Sequence, residues 1–300
     1  LKVSKSKKTL SFNISEVLLT GVSLLAISIF LLLLIGCENN SKNITDNNTK
    51  SERYSCSSIG CVPDENGTLT ESECNNSCLI YYASDIATDN SEGIYIAAND
   101  FKGPTIDFLT LKFDNNGNLV WNKTFDKGNN DISASLATDS SNNVYITGST
   151  EEILGIILAD QDILTIKYNS SGNLLNLFQY GDNNVWEYGD AITVDFFNNF
   201  YIAGTSWDGK HFTTLLLKYN SSGNLICTIK YDSGFDDSTV DTKVDKDGNI
   251  YILTNFDADD TIFIDNWIRI LKYDSNCNLI WETEFFSSET SEQARGLSIG

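Results

Sequence analysis

Ser135-Leu-Ala-Thr-Asp139, Asn143-Val-Tyr-Ile-Thr147, Ile166-Lys-Tyr-Asn169 and Gly172-Asn-Leu-Leu-Asn176 follow one another in this chain, and the same four pieces occur in the same order three more times. An earlier copy reads Asp85-Ile-Ala-Thr-Asp89, Gly93-Ile-Tyr-Ile-Ala97, Leu111-Lys-Phe-Asp114 and Gly117-Asn-Leu-Val-Trp121. The third contains Ala191-Ile-Thr-Val-Asp195 and Asn199-Phe-Tyr-Ile-Ala203, and the fourth Asp241-Thr-Lys-Val-Asp245 and Asn249-Ile-Tyr-Ile-Leu253. With Asp89, Asp139, Asp195 and Asp245 as the common point, the offsets are 50, 56 and 50 residues. A period near 50 that carries four strand-like pieces is the signature of a β-propeller blade.

Each copy has one physical grammar. A short apolar run ends at an Asp, and a turn such as Asp245-Lys-Asp-Gly-Asn249 follows, built from residues that tolerate left-handed angles or bond their own backbone. The Tyr-Ile strand comes next, rich in aromatic and β-branched side chains that pack well on a pleated surface. A variable loop leads to Lys-Tyr/Phe-Asp/Asn, and a tight turn such as Asp114-Asn-Asn-Gly117 reverses the chain into the fourth strand. Cys277 stands where the other copies have Gly117, Gly172 and Gly223. A side chain at positive φ is strained there, so this turn is expected either to shift or to place Asn276 at the strained position. The recurrent Tyr95, Tyr145, Tyr201 and Tyr251 read as packing between neighbouring blades rather than as a stacking ladder for a ligand.

The recurring Asp-x-x-Gly/Asn-Asn-x-Tyr-Ile and Leu-x-Lys-Tyr-Asp-x-x-Gly-Asn-Leu-x-Trp patterns resemble the SBBP β-propeller repeats of bacteria over roughly residues 83 to 300. The resemblance implies four-stranded blades about an axis and no single activity. The expected fold is all-β, a propeller with blades at about 83–132, 133–188, 189–238 and 239–293 and the first strand of another at 294–300. Arg295-Gly-Leu-Ser-Ile-Gly300 aligns with an opening strand. It reads either as the start of a longer propeller, the preferred reading, or as a strand that closes onto the first blade.

Ahead of the repeats, Lys2, Lys5, Lys7 and Lys8 precede an apolar run from Val17 to Ile35, the pattern of an export signal over 1–36. Leu34-Ile-Gly-Cys37 resembles a bacterial lipobox, which implies cleavage before Cys37 and a lipid on its thiol; an uncleaved membrane helix is the rival reading. Residues 37–53 form a polar tether with almost nothing to bury. The span 54–82 holds Cys56, Cys61, Cys74 and Cys78, which in an exported chain read as two disulfides, with zinc as the rival. Thr70-Glu-Ser-Glu73 is a capping box, and the helix it starts sets Cys74 and Cys78 on one face. The expected pairing is nested, Cys56 with Cys78 and Cys61 with Cys74.

The formal charge of −21 repels phosphate backbones and anionic membrane surfaces, so nucleic acid is excluded as a partner and only a lipid would hold the protein to a membrane. No cofactor is expected, except that Asp257, Asp259 and Asp260 offer the hard oxygens calcium prefers, without the spacing of a dedicated calcium loop. No residue is assigned a catalytic role. His211, the only histidine, sits in a loop and is expected on the surface, and no nucleophile elbow, zinc-protease pair or phosphate loop occurs. The variable segments Glu151 to Gln161 and Asp257 to Trp267 fall where propellers build ligand sites. The sequence thus predicts a lipid-anchored binding or scaffolding module of the bacterial cell envelope, at the outer membrane or cell surface, with a protein or glycan ligand. The rival is a propeller lyase or hydrolase of extracellular polysaccharide whose catalytic residues lie in blades outside this chain.

Overall fold

The computed structural model describes residues 54–57, 60–63, 81–101, 104–153, 159–182, 185–207, 209–257, 266–285 and 293–299. The signal, Cys37, the helix expected at Cys74 and Cys78, and Asp259 and Asp260 lie outside the described residues.

A hairpin, β1 (Tyr54–Ser57) with β2 (Gly60–Pro63), sets Cys56 opposite Cys61. Four antiparallel four-stranded sheets follow, each in simple chain order. Blade 1 is β3 (Tyr81–Thr88), β4 (Ile94–Asp100), β5 (Asp107–Phe113) and β6 (Leu119–Phe125). Blade 2 is β7 (Asp131–Thr138), β8 (Val144–Ile153), β9 (Ala159–Tyr168) and β10 (Leu174–Tyr180). Blade 3 is β11 (Glu187–Val194), β12 (Phe200–Trp207), β13 (Phe212–Tyr219) and β14 (Leu225–Tyr231). Blade 4 is β15 (Asp237–Val244), β16 (Ile250–Asp257), β17 (Asn266–Tyr273) and β18 (Leu279–Phe285). The fold is therefore the all-β propeller architecture the repeat implies. Its first axial strand starts at Tyr81, slightly ahead of the boundary expected at 83.

The core lies between blades. Tyr95 and Phe108 of blade 1 pack with Leu136, Val144, Ile146 and Leu164 of blade 2. Tyr145 and Ile163 do the same with Phe200, Ile202 and Leu215, and Tyr201 and Leu216 with Ile250, Ile252 and Leu271. The repeated tyrosine is thus a packing residue, buried at Tyr95, Tyr145 and Tyr201 and half-buried at Tyr251. The outermost strand β18 is exposed along its whole length.

The motif residues meet in three dimensions as a triad. Asp89 Oδ1 accepts the N–H groups of Ser91 and Gly93, closing the turn, while the Tyr95 hydroxyl donates to its Oδ2 at 3.1 Å. Lys112 lies 3.4 Å from the same oxygen and 4.8 Å from the Tyr95 ring centroid. Burial opposes ionisation of Asp89, but these bonds and the lysine hold its carboxyl below the usual range. Tyr145, Tyr201 and Tyr251 bond Asp139, Asp195 and Asp245 in the same way, under Lys167, Lys218 and Lys272.

Three expectations need correction. The turn at Cys277 does not shift: Cys277 itself adopts φ 69°, and its N–H donates to Asp274 O at 3.0 Å, as Gly117 N–H does to Asp114 O. What holds it is a disulfide to Cys227, which staples the outer edge of blade 3 to the outer turn of blade 4 across a sequence separation of 50. His211 is not a surface residue; it is 8% exposed, with Nε2 3.6 Å from Asp232. Glu151 to Gln161 is largely not a loop, because β8 and β9 stay paired from Glu151↔Gln161 to Ile153↔Ala159.

Candidate functional site

The four innermost strands, β3, β7, β11 and β15, surround an axial cavity of about 700 Å³, and residues 293–295 close part of its wall. Each of these strands carries a β-bulge at the same place, between Ala83 and Asp85, Ser133 and Ser135, Gly189 and Ala191, and Thr239 and Asp241. The residues left out of the ladders are Ser84, Ala134, Asp190 and Val240, and all four line the cavity. Bulges turn side chains out of the sheet register, and here they direct four equivalent positions toward one space.

Beside the bulges, polar groups sew the axial strands together. Asp85 Oδ2 accepts the Ser135 hydroxyl at 2.8 Å and the Leu136 N–H at 3.0 Å. One blade on, Ser135 Oγ accepts the Ile192 N–H at 3.4 Å. Asp241 Oδ2 accepts the Leu297 N–H at 2.8 Å, while its Oδ1 lies 2.5 Å from Lys243. Asn255 clamps Ala294 through both its amide atoms, as the equivalent Asn99 clamps Ser133. The segment 293–299 thus docks on blade 4 through the contacts by which blade 2 docks on blade 1.

Asp190 departs from this pattern. Its Oδ2 accepts the Thr205 hydroxyl at 2.7 Å, and burial pushes its carboxyl up to about 7. It lines the cavity as a half-buried carboxyl whose ionisation its surroundings oppose. Sequence reading passed over it; the available signal was a carboxylate where the other copies have Ser84, Ala134 and Val240. Of the residues singled out from sequence, Asp257 lines the cavity, whereas His211 does not. Cys56 and Cys61 are register partners in the backbone of the N-terminal hairpin.

Residues 126–155 match the SBBP β-propeller repeat family. No curated protein matches the chain at a significant level. Among solved structures, a polysaccharide lyase of family PL25, an ulvan lyase, aligns at 13% identity over 68% of this chain with a TM-score of 0.49. The chain spans 55% of that lyase's length. The same enzyme bound to -[GlcA(1-4)Rha3S]- aligns with a TM-score of 0.47, and a thermostable family-43 glycoside hydrolase at 14% identity, 74% of this chain, 79% of that one and a TM-score of 0.45. At these identities and scores the likenesses carry no argument about what this chain does.

Proposed function

We propose that this chain is an exported, lipid-anchored β-propeller that binds a hydroxyl-rich ligand, a glycan or a polar protein segment, in its axial cavity at the cell envelope. The observation that carries the binding role is the cavity itself: bulged and clamped positions at repeat-equivalent places present Ser84, Asp190, Asp241 and Asn255 to one space. Fixed carboxylate, amide and hydroxyl groups of this kind recognise hydroxyls without an ordering cost. Export is supported by the Cys227–Cys277 disulfide, which persists in oxidising compartments. The anchor rests on Leu34-Ile-Gly-Cys37, and the nested pairing Cys56–Cys78 and Cys61–Cys74 would complete an oxidised module between tether and propeller.

A second reading, a lyase or hydrolase of extracellular polysaccharide, draws on one group, the cavity-lining Asp190 carboxyl, which burial pushes up to about 7. A panel of acidic and neutral polysaccharides separates the two. Saturable binding with no new reducing ends or unsaturated products, lost when Ala134→Phe fills the cavity, supports the binding module. Product formation abolished by Asp190→Asn would replace it with the enzyme. For the anchor, Cys37→Ser is expected to abolish incorporation of a fatty-acid analogue and to leave the precursor uncut; unchanged labelling would refute lipidation.

A further inference from the structure

Asp131, Glu187 and Asp237 occupy one equivalent position, the first residue of β7, β11 and β15, and are 0%, 0% and 3% exposed. A buried carboxylate needs a compensating charge. Glu187 has one in Lys230, 3.4 Å away, and Asp237 has one in Arg269 at 3.0 Å. Asp131 is surrounded differently. It lies with Asp107, the first residue of β5, and Asp126, just past the end of β6, and one carboxylate oxygen from each falls within 4.8 Å of the others.

The hydrogen bonds leave part of each carboxylate over. Asp107 Oδ1 accepts the Thr105 hydroxyl at 3.3 Å, Asp126 Oδ1 the Gly128 N–H at 2.6 Å, and Asp131 Oδ2 the Lys127 N–H at 2.6 Å. Asp131 Oδ1 is buried with no hydrogen-bond partner among the described residues. Thr150 pairs with Asp131 across the β7–β8 ladder, is 1% exposed, and its Oγ1 is likewise buried without a hydrogen bond of acceptable geometry. The Lys127 ammonium reaches Gln179 Oε1 at 2.7 Å. Burial pushes the Asp131 carboxyl up, and the Asp126 charge pushes the same way, against the Thr150 hydroxyl, the Lys127 N–H and the Lys127 charge. Burial and then the Asp126 charge also raise Asp107. The protein thus supplies three convergent carboxylates where blade 2 meets blade 1, whereas blades 3 and 4 each supply a cation from their own strands.

We propose that Asp107, Asp126 and Asp131 bind a calcium ion that takes the place Lys230 and Arg269 hold in the later blades. The donors are all oxygens, with no imidazole or thiolate among them, which selects a hard cation over zinc. One carboxylate from the start of β5 and two from the ends of the β6–β7 connection form a wide, adaptable site, suited to calcium; magnesium demands tighter octahedral geometry and keeps most of its water. Asp126 is exposed, so water has access to complete the shell. The ion would join the end of β6 to the start of β7 and so couple the first two blades.

The test is equilibrium dialysis of the full chain in detergent against radioactive calcium, with a thermal melt in calcium and in chelator. One ion per chain is expected, with a rise in Tm on adding calcium. Asp131→Asn is expected to remove binding. Because that residue is buried, Asp126→Asn serves as the second variant; it sits on the surface, and it is expected to weaken calcium at least tenfold and to shrink the calcium-dependent Tm rise. Absence of bound calcium in the unaltered chain would overturn the proposal, as would unchanged stoichiometry and affinity in Asp126→Asn, or displacement by an equal concentration of magnesium.

Discussion

Breaking the Cys227–Cys277 staple is a perturbation whose magnitude follows from the fold. The two residues are 50 apart in sequence, so the bridge closes a loop of that length in the unfolded chain. Chain-entropy arithmetic gives about 4 kcal/mol of stabilisation for such a loop at 25 °C. Against this stands the cost of holding a non-glycine residue at φ 69°, roughly 1 kcal/mol. The double variant Cys227→Ser/Cys277→Ser loses the bridge and keeps the strain, so it is expected to fall by about 4 kcal/mol, or roughly 8–16 °C in Tm for a domain of this size. Cys227→Ser/Cys277→Gly loses the bridge and relieves the strain, and it is expected to recover about 1 kcal/mol of that. Thermal melts and urea titrations of both variants, beside the parent chain with and without dithiothreitol, measure all the differences. Reduction should move the parent onto the Ser/Ser curve. Coincident midpoints for oxidised and reduced parent would refute the stabilising role, and a Gly variant less stable than the Ser variant would refute the strain argument.

Arg269→Met removes the guanidinium that lies 3.0 Å from Asp237 and 2.8 Å from Glu284, and it leaves a buried carboxylate unpaired; a loss of about 3–5 kcal/mol in urea unfolding is expected, largely restored by adding Asp237→Asn. Asn255→Ala removes both clamps on Ala294, so the amides of Ala294 and Leu297 should exchange with deuterium at least tenfold faster while those of β16 do not change; equal rates would show that the segment is held by other contacts. The Asp190 carboxyl is raised to about 7 in the fold, so its share of stability is present below its unfolded value of about 4 and is lost as pH rises through about 7. Asp190→Asn should flatten the fall in urea midpoint across that window, without abolishing it, because Asp237 is also raised, to about 6; an unchanged slope would contradict the burial of Asp190.

The repeat made the fold legible because each strand's ends carry their own chemistry: Asp or Asn closing a turn, Tyr and Ile on the buried strand, Gly at the left-handed position of the hairpin. Every member of the Asp–Tyr–Lys triad was visible in the motif, yet their contact was not. Asp89 sits in one turn, Tyr95 on β4 and Lys112 on β5, and only the strand register brings them together. The Cys227–Cys277 pair was hidden for a related reason. The two lie close to one period apart but at different places in the repeat, and it is the stagger of neighbouring blades that joins them. His211 does lie in the loop before β13, but a loop residue need not be exposed, and composition alone marked 151–161 as a loop. His211 follows Asp-Gly-Lys yet is packed beside Asp232, and the pairing of β8 with β9 runs on past the point where the apolar pattern fades.

A repeat frame has a further consequence for locating function. Residues that serve the frame must recur, since each blade meets its neighbour through equivalent contacts, as Asn99 with Ser133 and Asn255 with Ala294 do. A polar residue that is buried and does not recur serves the frame poorly, so it needs another reason to be there. Two departures from the repeat among the described residues concern polar groups of this kind. At the bulges, Asp190 puts a carboxyl where its equivalents are Ser84, Ala134 and Val240, and it does so on the wall of the axial cavity. At the strand starts, where Glu187 and Asp237 pair with Lys230 and Arg269, Asp131 lies with Asp107 and Asp126, within the field of Lys127. The first departure gives the cavity a protonatable group and the second gives a blade junction an oxygen cluster. Both fit the proposals of a ligand in the cavity and a cation at the blade junction better than they fit packing.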